Sequence, residues 1–300
     1  MDRTQYKCCR RGANLRRRRR RHRKIRRSVI FSCSIMAVAV FVIVGSRIIT
    51  SGAGRTNKYD VEAGNDIYDN ADIENTKISE KNKIQNNQSM LDDIMNSTQY
   101  PKQLQELALK NEEALEFVYD YPTEHVKEHT IDLTEEASMD SVPLFVQWDE
   151  RWGYEKYSGN FFAASGCGPT TLSMVVVYLT HNRDASPLAV AKYSKEAGYS
   201  VDGSGSSWTL ISEGCRHYGV KAKTVALDES RMKAELDAGH PIVINVGPGD
   251  FTDTGHFMVI TGYDDEGFSI NDPNSIEKSG KRWLFKNISS QIRAVWSMYV

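Results

Sequence analysis

Apolar residues fall along this chain in a pattern that changes several times, and each change predicts a different kind of segment. Ser28 to Ser46 is a nineteen-residue stretch without charge, rich in Val, Ile, Ala and Phe. As a helix it spans roughly 28 Å, about the hydrocarbon thickness of a bilayer, so residues 28–49 are expected to form a transmembrane anchor. From Ser51 to about Tyr100 the pattern dissolves into Asn, Asp, Lys, Glu and Ser with few large apolar residues and no proline. No period of 3.6 or 2 is sustained there, which predicts a disordered stalk over 50–100. After Pro101, the residues Leu104, Leu107, Ala108, Ala114, Leu115 and Val118 recur at helical spacing until Tyr121-Pro122 closes the run. That predicts an amphipathic helix, followed by an acidic linker, over 101–141. From Val142-Pro143 onward aromatic and glycine residues become dense, and 142–300, about 160 residues, is long enough for one hydrophobic core.

Within 142–300, capping residues and helical periodicity predict helices at Pro169–Leu179, Pro187–Ala197, Ser207–Tyr218 and Glu229–Ala238. Short β-branched and aromatic runs predict strands at Pro241–Val246, His256–Tyr263, Gly267–Asn271, Arg282–Phe285 and Ala294–Val300. Helices first and strands afterwards indicate an α+β domain and argue against an alternating α/β fold.

Charge adds a direction. The net charge of −1 conceals residues 1–27, where fourteen Lys/Arg stand against Asp2 alone for a net of +13, while the rest of the chain carries −14. Basic residues before an apolar span place the N-terminus in the cytoplasm and everything after Arg47 outside. A cleaved signal peptide has the same charge order, but the apolar run exceeds a usual signal core and Gly45-Ser46-Arg47 is a poor cleavage site. An uncleaved single-pass anchor is therefore expected in the cell membrane, ahead of secretion after cleavage. The Arg16–Arg21 run suits orientation and anionic lipid head groups better than nucleic acid, so no nucleic-acid partner is expected. Of five cysteines only Cys167 and Cys215 fall in the exported part, too few for a disulfide-stapled fold.

The chemistry concentrates in Ser165-Gly166-Cys167-Gly168-Pro169-Thr170. A lone cysteine between glycines, before a proline that can open a helix, sets its thiol at a helix N-terminus, where a thiolate forms most readily. The glycines leave backbone room for a substrate on either side. The competing reading is a small buried cysteine. That reading suits Cys215, which lies among Leu210, Ile211 and Tyr218. Downstream, His256 opens a strand whose residues Phe257–Ile260 are apolar on both faces, leaving its imidazole at the strand mouth as a base. Asp272, in Asn271-Asp272-Pro273, can reach His256 through a hairpin about Gly262–Gly267 and orient the ring, although Asn-Asp-Pro is also an ordinary turn. Gln147, in Val146-Gln147-Trp148-Asp149-Glu150-Arg151-Trp152, is the candidate side-chain donor for an oxyanion, against the alternative of a surface glutamine. Cys215-Arg216-His217 lacks a matching ligand pair, and His125 and His129 stand without the glutamate of a zinc-protease helix, so neither a metal nor any other cofactor is expected. Gly203-Ser204-Gly205-Ser206-Ser207 reads as a flexible turn leading into a helix, not as a phosphate loop.

Taken together, Pro143 to Gly153, Gly166-Cys167-Gly168-Pro169-Thr170, Gly255-His256-Phe257 and Asn271-Asp272-Pro273 resemble the family-39-like cysteine peptidases of bacteria. The resemblance covers about Val142 to Val300. It implies a papain-like fold and a thiol peptidase in which Cys167 attacks, His256 serves as base and then acid, Asp272 orients the imidazole and Gln147 assists the oxyanion. The substrate is then a peptide or protein, with a peptidoglycan stem peptide as the alternative for an amidase or endopeptidase of the same fold. A wall- or protein-binding module without catalysis remains the non-enzymatic alternative.

Overall fold

The computed structural model describes residues 66–300, with side chains from residue 79. The basic segment 1–27 and the expected anchor 28–49 lie outside the described residues. Every element below belongs to the unit Asn70–Val300, apart from the first four residues of the first helix.

In place of a disordered stalk, a helix runs from Asp66 to Asn96. Neither glycine nor proline interrupts it. Its last turns are held by tertiary packing: Met90 and Ile94, one turn apart, are buried with Leu104, Leu107, Leu115 and Val118. Helices whose own propensity is modest are fixed by such contacts, which no periodicity within the stretch reveals. The helix Lys102–Lys110 follows with the expected buried stripe of Leu104, Leu107 and Ala108. Asn111 then caps the turn Glu112–Ala114, its side chain accepting from the Glu113 N–H. This helical segment shares its core with Phe161 and Ala163, just ahead of Cys167.

The remainder is helix against sheet. Two short hairpins come first, β1 (Lys156–Tyr157) with β2 (Asn160–Phe161) and β3 (Ser200–Val201) with β4 (Gly205–Ser206). The main sheet has six antiparallel strands: β5 (Lys221–Thr224), β6 (Ile242–Val246), β7 (His256–Asp264), β8 (Gly267–Asn271), β9 (Arg282–Trp283) and β10 (Ile292–Tyr299). Their order is β5-β10-β6-β7-β8-β9. Along β6 and β7, Val243, Phe257 and Val259 join one core with the helix Cys167–Thr180, while Ile244, Val246, Met258 and Ile260 join a second core with Met232 and Ile288. Both faces are therefore covered, as the unbroken apolar run after His256 predicts. The helix Cys167–Thr180 is buried along most of its length, including Leu172 and Met174–Val177.

Sequence and structure part at several points in this domain, one being the expected strand Arg282–Phe285, which ends at Trp283 while Phe285 opens a short helix. The expected helix Ser207–Tyr218 breaks into Thr209–Ser212 and a tighter turn, Gly214–Tyr218, where Gly214 lies against the Tyr199 ring. The expected flexible turn at Gly203–Ser207 supplies β4 instead, with Gly203 and Gly205 at positive φ to shape the hairpin. The strand β5 is unannounced because its sequence, Lys-Ala-Lys-Thr, pairs only with β10 and keeps the charged, exposed character of a sheet edge.

Candidate active site

Cys167 is the first residue of its helix, with Gly166 at the cap position. Both flanking glycines are packing requirements. A Cβ on Gly166 would sit 2.4 Å from the Phe162 ring, and one on Gly168 2.7 Å from the Ser206 Cβ. Phe162 and Ser206 thus leave no room for a side chain at either glycine. The helix is fastened to β7 by the Thr171 hydroxyl, which donates to the Phe257 carbonyl at 3.0 Å. That bond fixes the distance between the thiol at the helix start and the imidazole one residue before Phe257.

His256 is buried at the mouth of β7, and Asn245 donates to its backbone carbonyl at 3.2 Å. Its Nε2 lies 2.7 Å from Oδ1 of Asp272, which is fully buried. The other ring nitrogen is left for Cys167, whose thiol and this imidazole each shift the other's pKa. Asp272 is itself held: Oδ1 also accepts the Asn274 N–H at 2.8 Å, and the Asp272 N–H donates to Ser279 Oγ at 2.9 Å. Its Oδ2 is buried without a hydrogen-bond partner.

The electrostatics separate the two cysteines. Burial is the strongest influence on Cys167 and opposes ionisation. The hydrogen bond from His256, its positive charge and the N–H groups of Phe257 and Gly168 together outweigh it and hold the thiol below its ordinary pKa. For His256 burial likewise opposes the charged form, but the Asp272 carboxylate and the thiolate raise the imidazole above its ordinary value. Both shifts run in the direction that favours passing the thiol proton to the imidazole. Cys215 has no such partner, and burial pushes its thiol up to about 11. Both thiols are free, Cys167 partly exposed and Cys215 buried.

The thiol opens into a cavity of about 660 Å³. Its walls come from the β1–β2 and β3–β4 hairpins, the end of β6 and the residues just before β7, with Trp208 and Arg293 at its sides. Gln147 does not line it. The Gln147 amide donates to the Ala163 carbonyl at 2.7 Å and to Asn274 Oδ1 at 3.3 Å, while its own oxygen is buried without a partner. It is therefore no surface residue; it ties the loop before Cys167 to the loop after Asp272.

That second loop carries contacts the sequence did not announce. Asn111 Nδ2 donates to the Asn274 carbonyl at 2.9 Å, and Trp148 Nε1 donates to the same oxygen at 3.3 Å. Glu113 accepts from the Ser275 hydroxyl and from the N–H groups of Ile276 and Glu277, the latter two at 2.7 and 3.0 Å. Only the acidic side chain two residues after an Asn cap hints at this in the sequence, and its partner lies more than 160 positions away.

One group with metal-ligating atoms appears among the described residues. Glu124, His129 and Glu150 offer atoms within 4.8 Å of one another, a proximity that motif spacing alone does not show. Lys127 already pairs with Glu124, Glu150 is exposed, and none of the three lines the cavity.

Residues 139–300 match the model of the Peptidase_C39 like family, a span that contains Cys167, His256, Asp272 and Gln147. The chain belongs to this family. It is a cysteine peptidase. Among solved structures, the peptidase domain of Streptococcus ComA, a bi-functional ABC transporter involved in a quorum sensing pathway, is 19% identical. That match covers 45% of this chain and 90% of that one, with a TM-score of 0.37. A C39-like peptidase from Bacillus anthracis is 17% identical over 53% of this chain and 95% of its own, with a TM-score of 0.33. No curated protein matches the peptidase. The matched span begins after Asn111 and Glu113, so two of the side chains that brace the Asp272 loop lie outside it, while Gln147 and Trp148 lie inside.

Proposed function

We propose that the peptidase cleaves peptide bonds through Cys167, His256 and Asp272. The observation that carries this reading is a thiol at a helix N-terminus, paired with an imidazole whose far nitrogen is bonded at 2.7 Å to a buried carboxylate. The Cys167 thiolate attacks the scissile carbonyl carbon, and the carbonyl π electrons move to oxygen as the S–C bond forms. His256 gives its proton to the leaving amine as the C–N bond breaks, which leaves a thioester on Cys167 and a neutral imidazole. That imidazole then takes a proton from water, the resulting hydroxide displaces the thiolate, and the carboxylic product departs. Asp272 holds the ring and balances its charge throughout.

The oxyanion is assigned to the backbone N–H of Cys167 at the open end of its helix, with Gln147 as the side-chain donor. Gln147 lies outside the cavity wall, so this role requires its longer bond, 3.3 Å to Asn274, to be exchanged for one to the substrate oxygen. The free, partly exposed thiol disfavours a non-catalytic module. The full-length protein should hydrolyse members of a peptide library, and Cys167→Ala should abolish that hydrolysis. Turnover that survives the substitution and alkylation places the chemistry elsewhere. Purified peptidoglycan as a parallel substrate separates a wall hydrolase from a peptidase of polypeptides.

The peptidase is further proposed to act outside the cell, tethered by the uncharged span Ser28–Ser46. The supporting feature is the basic cluster ahead of that span and the acidic remainder after it. Surface proteolysis of intact cells should release the catalytic domain; a domain protected in the cytosol overturns this placement.

A further inference from the structure

We propose that Arg293 selects the peptidase's substrates by binding a carboxylate on the peptide beside the scissile bond, an inference that rests on the peptidase reading of the same cavity. No aspartate or glutamate lines the cavity that Cys167 opens into, and Arg293 is its sole Lys or Arg. Arg293 is therefore the one cationic side chain in the wall of that cavity that an entering anion meets.

Three features show that the guanidinium is placed there by the fold. Between β10 and β6, Ile292 pairs with Val246 and Ala294 with Asn245, so Arg293 is the extra residue of a β-bulge. A bulge re-aims a side chain that regular pairing would send elsewhere. Gly247 provides its seat, since a Cβ there would lie 2.8 Å from the Arg293 Nε. The group is then fixed on one side only, where Nη1 donates to the Ser290 carbonyl at 2.7 Å. Among the described residues no carboxylate pairs with Arg293, and its remaining N–H donors are open at the cavity wall. A planar fork of donors without a counter-ion suits a bidentate carboxylate. Arg151 pairs with Asp149 and Glu136 and Arg282 with Asp264, whereas Arg183, Arg216 and Arg231 resemble Arg293 in having no carboxylate ion pair among the described residues; what sets Arg293 apart is its place in the cavity wall.

The carboxylate can come from an Asp or Glu side chain or from a free C-terminus, and the test separates them. Internally quenched decapeptide pools would carry Glu or Gln at one position, walked along the peptide, with a second set differing only in a free or amidated C-terminus. The full-length wild type should favour Glu over Gln at one position, or the free over the amidated terminus, by about tenfold in kcat/KM. That lies between an exposed ion pair and a charge-assisted hydrogen bond in a cleft. The ratio should collapse towards unity in Arg293→Gln, invert in Arg293→Glu and survive in part in Arg293→Lys. A wild type without preference, or a ratio within twofold of wild type in both Gln and Glu variants, overturns the assignment. Peptide turnover that persists in Cys167→Ala counts against the peptidase reading instead. If no pool is cleaved, the relative rate of Cys167 alkylation by iodoacetate and by neutral iodoacetamide decides: it should fall severalfold in Arg293→Gln, and an unchanged ratio rejects the proposal.

Discussion

Replacing Glu113 by alanine should loosen the Asp272 loop from a distance. The Glu113 carboxylate receives the Ser275 hydroxyl and the N–H groups of Ile276 and Glu277, which are the unpaired donors at the start of the helix Ile276–Ser279. Each bond of this type contributes about 1 kcal/mol net, and water recovers part of the total because the carboxylate is only half-buried, so the loss is about 2 kcal/mol. A change of that size alters the local opening equilibrium about 30-fold. Hydrogen exchange should therefore accelerate by that order at the Ile276 and Glu277 amides in Glu113→Ala. kcat/KM should fall less than in Asp272→Ala, because the loop still visits its closed form. The loop also has internal support, from Ser275 Oγ accepting the Lys278 N–H and from Ser279 Oγ donating to the Ser275 carbonyl. If exchange at both amides stays within twofold of wild type, those internal bonds suffice, and the brace from outside the family domain is dispensable.

Cys167→Ser should lose activity by about 10³-fold or more, because the same histidine ionises a hydroxyl far less readily than a thiol; peptide turnover measures it, and near-native rates count against the thiolate. In Asp272→Asn the imidazolium loses the carboxylate that raises its pKa, so the alkaline limb of the kcat/KM profile should move to lower pH; a stationary alkaline limb would contradict the pairing. Glu235 is held at about 2, chiefly by its hydrogen bond to His240 and then by Lys223 and Ser297, against an unfolded value of 4.5. Its depressed folded value gives stability that is complete above pH 4.5 and lost as pH falls towards 2. Urea titrations of wild type and Glu235→Gln should thus differ near neutrality and converge below that window; a constant difference at all pH values would speak against this linkage.

The parts of the site that rest on short-range sequence signals were the readable ones. Gly-Cys-Gly-Pro announces a helix start, and the apolar run after His256 announces a strand covered on both faces. The Asn271-Asp272-Pro273 turn falls where a hairpin returns it to His256. What stayed hidden depends on partners far along the chain. The helix Asp66–Asn96 is fixed by Met90 and Ile94 against Leu104 and Leu115, and its own residues give no sustained period. The hold of Glu113 on Ile276 crosses 163 positions. Arg293 is aimed by a bulge that depends on the register between β10 and β6, which no pattern within β10 encodes. The flanking glycines of Cys167 were legible as glycines, but their packing role was not, because Phe162 and Ser206 approach them only in the folded chain.

Ionisation of Cys167 by His256 can be read from the pH dependence of its alkylation. Full-length protein would be exposed to limiting iodoacetamide across a pH series, with the modified residue identified by peptide mass so that Cys8, Cys9, Cys33 and Cys215 are counted apart. Cys167 should react with a midpoint below the ordinary thiol value of 9.0, and His256→Ala should move the midpoint upward. Buried Cys215, with its thiol pushed up to about 11, should remain unmodified at neutral pH. A Cys167 midpoint at or above 9.0 that His256→Ala leaves in place would contradict the account.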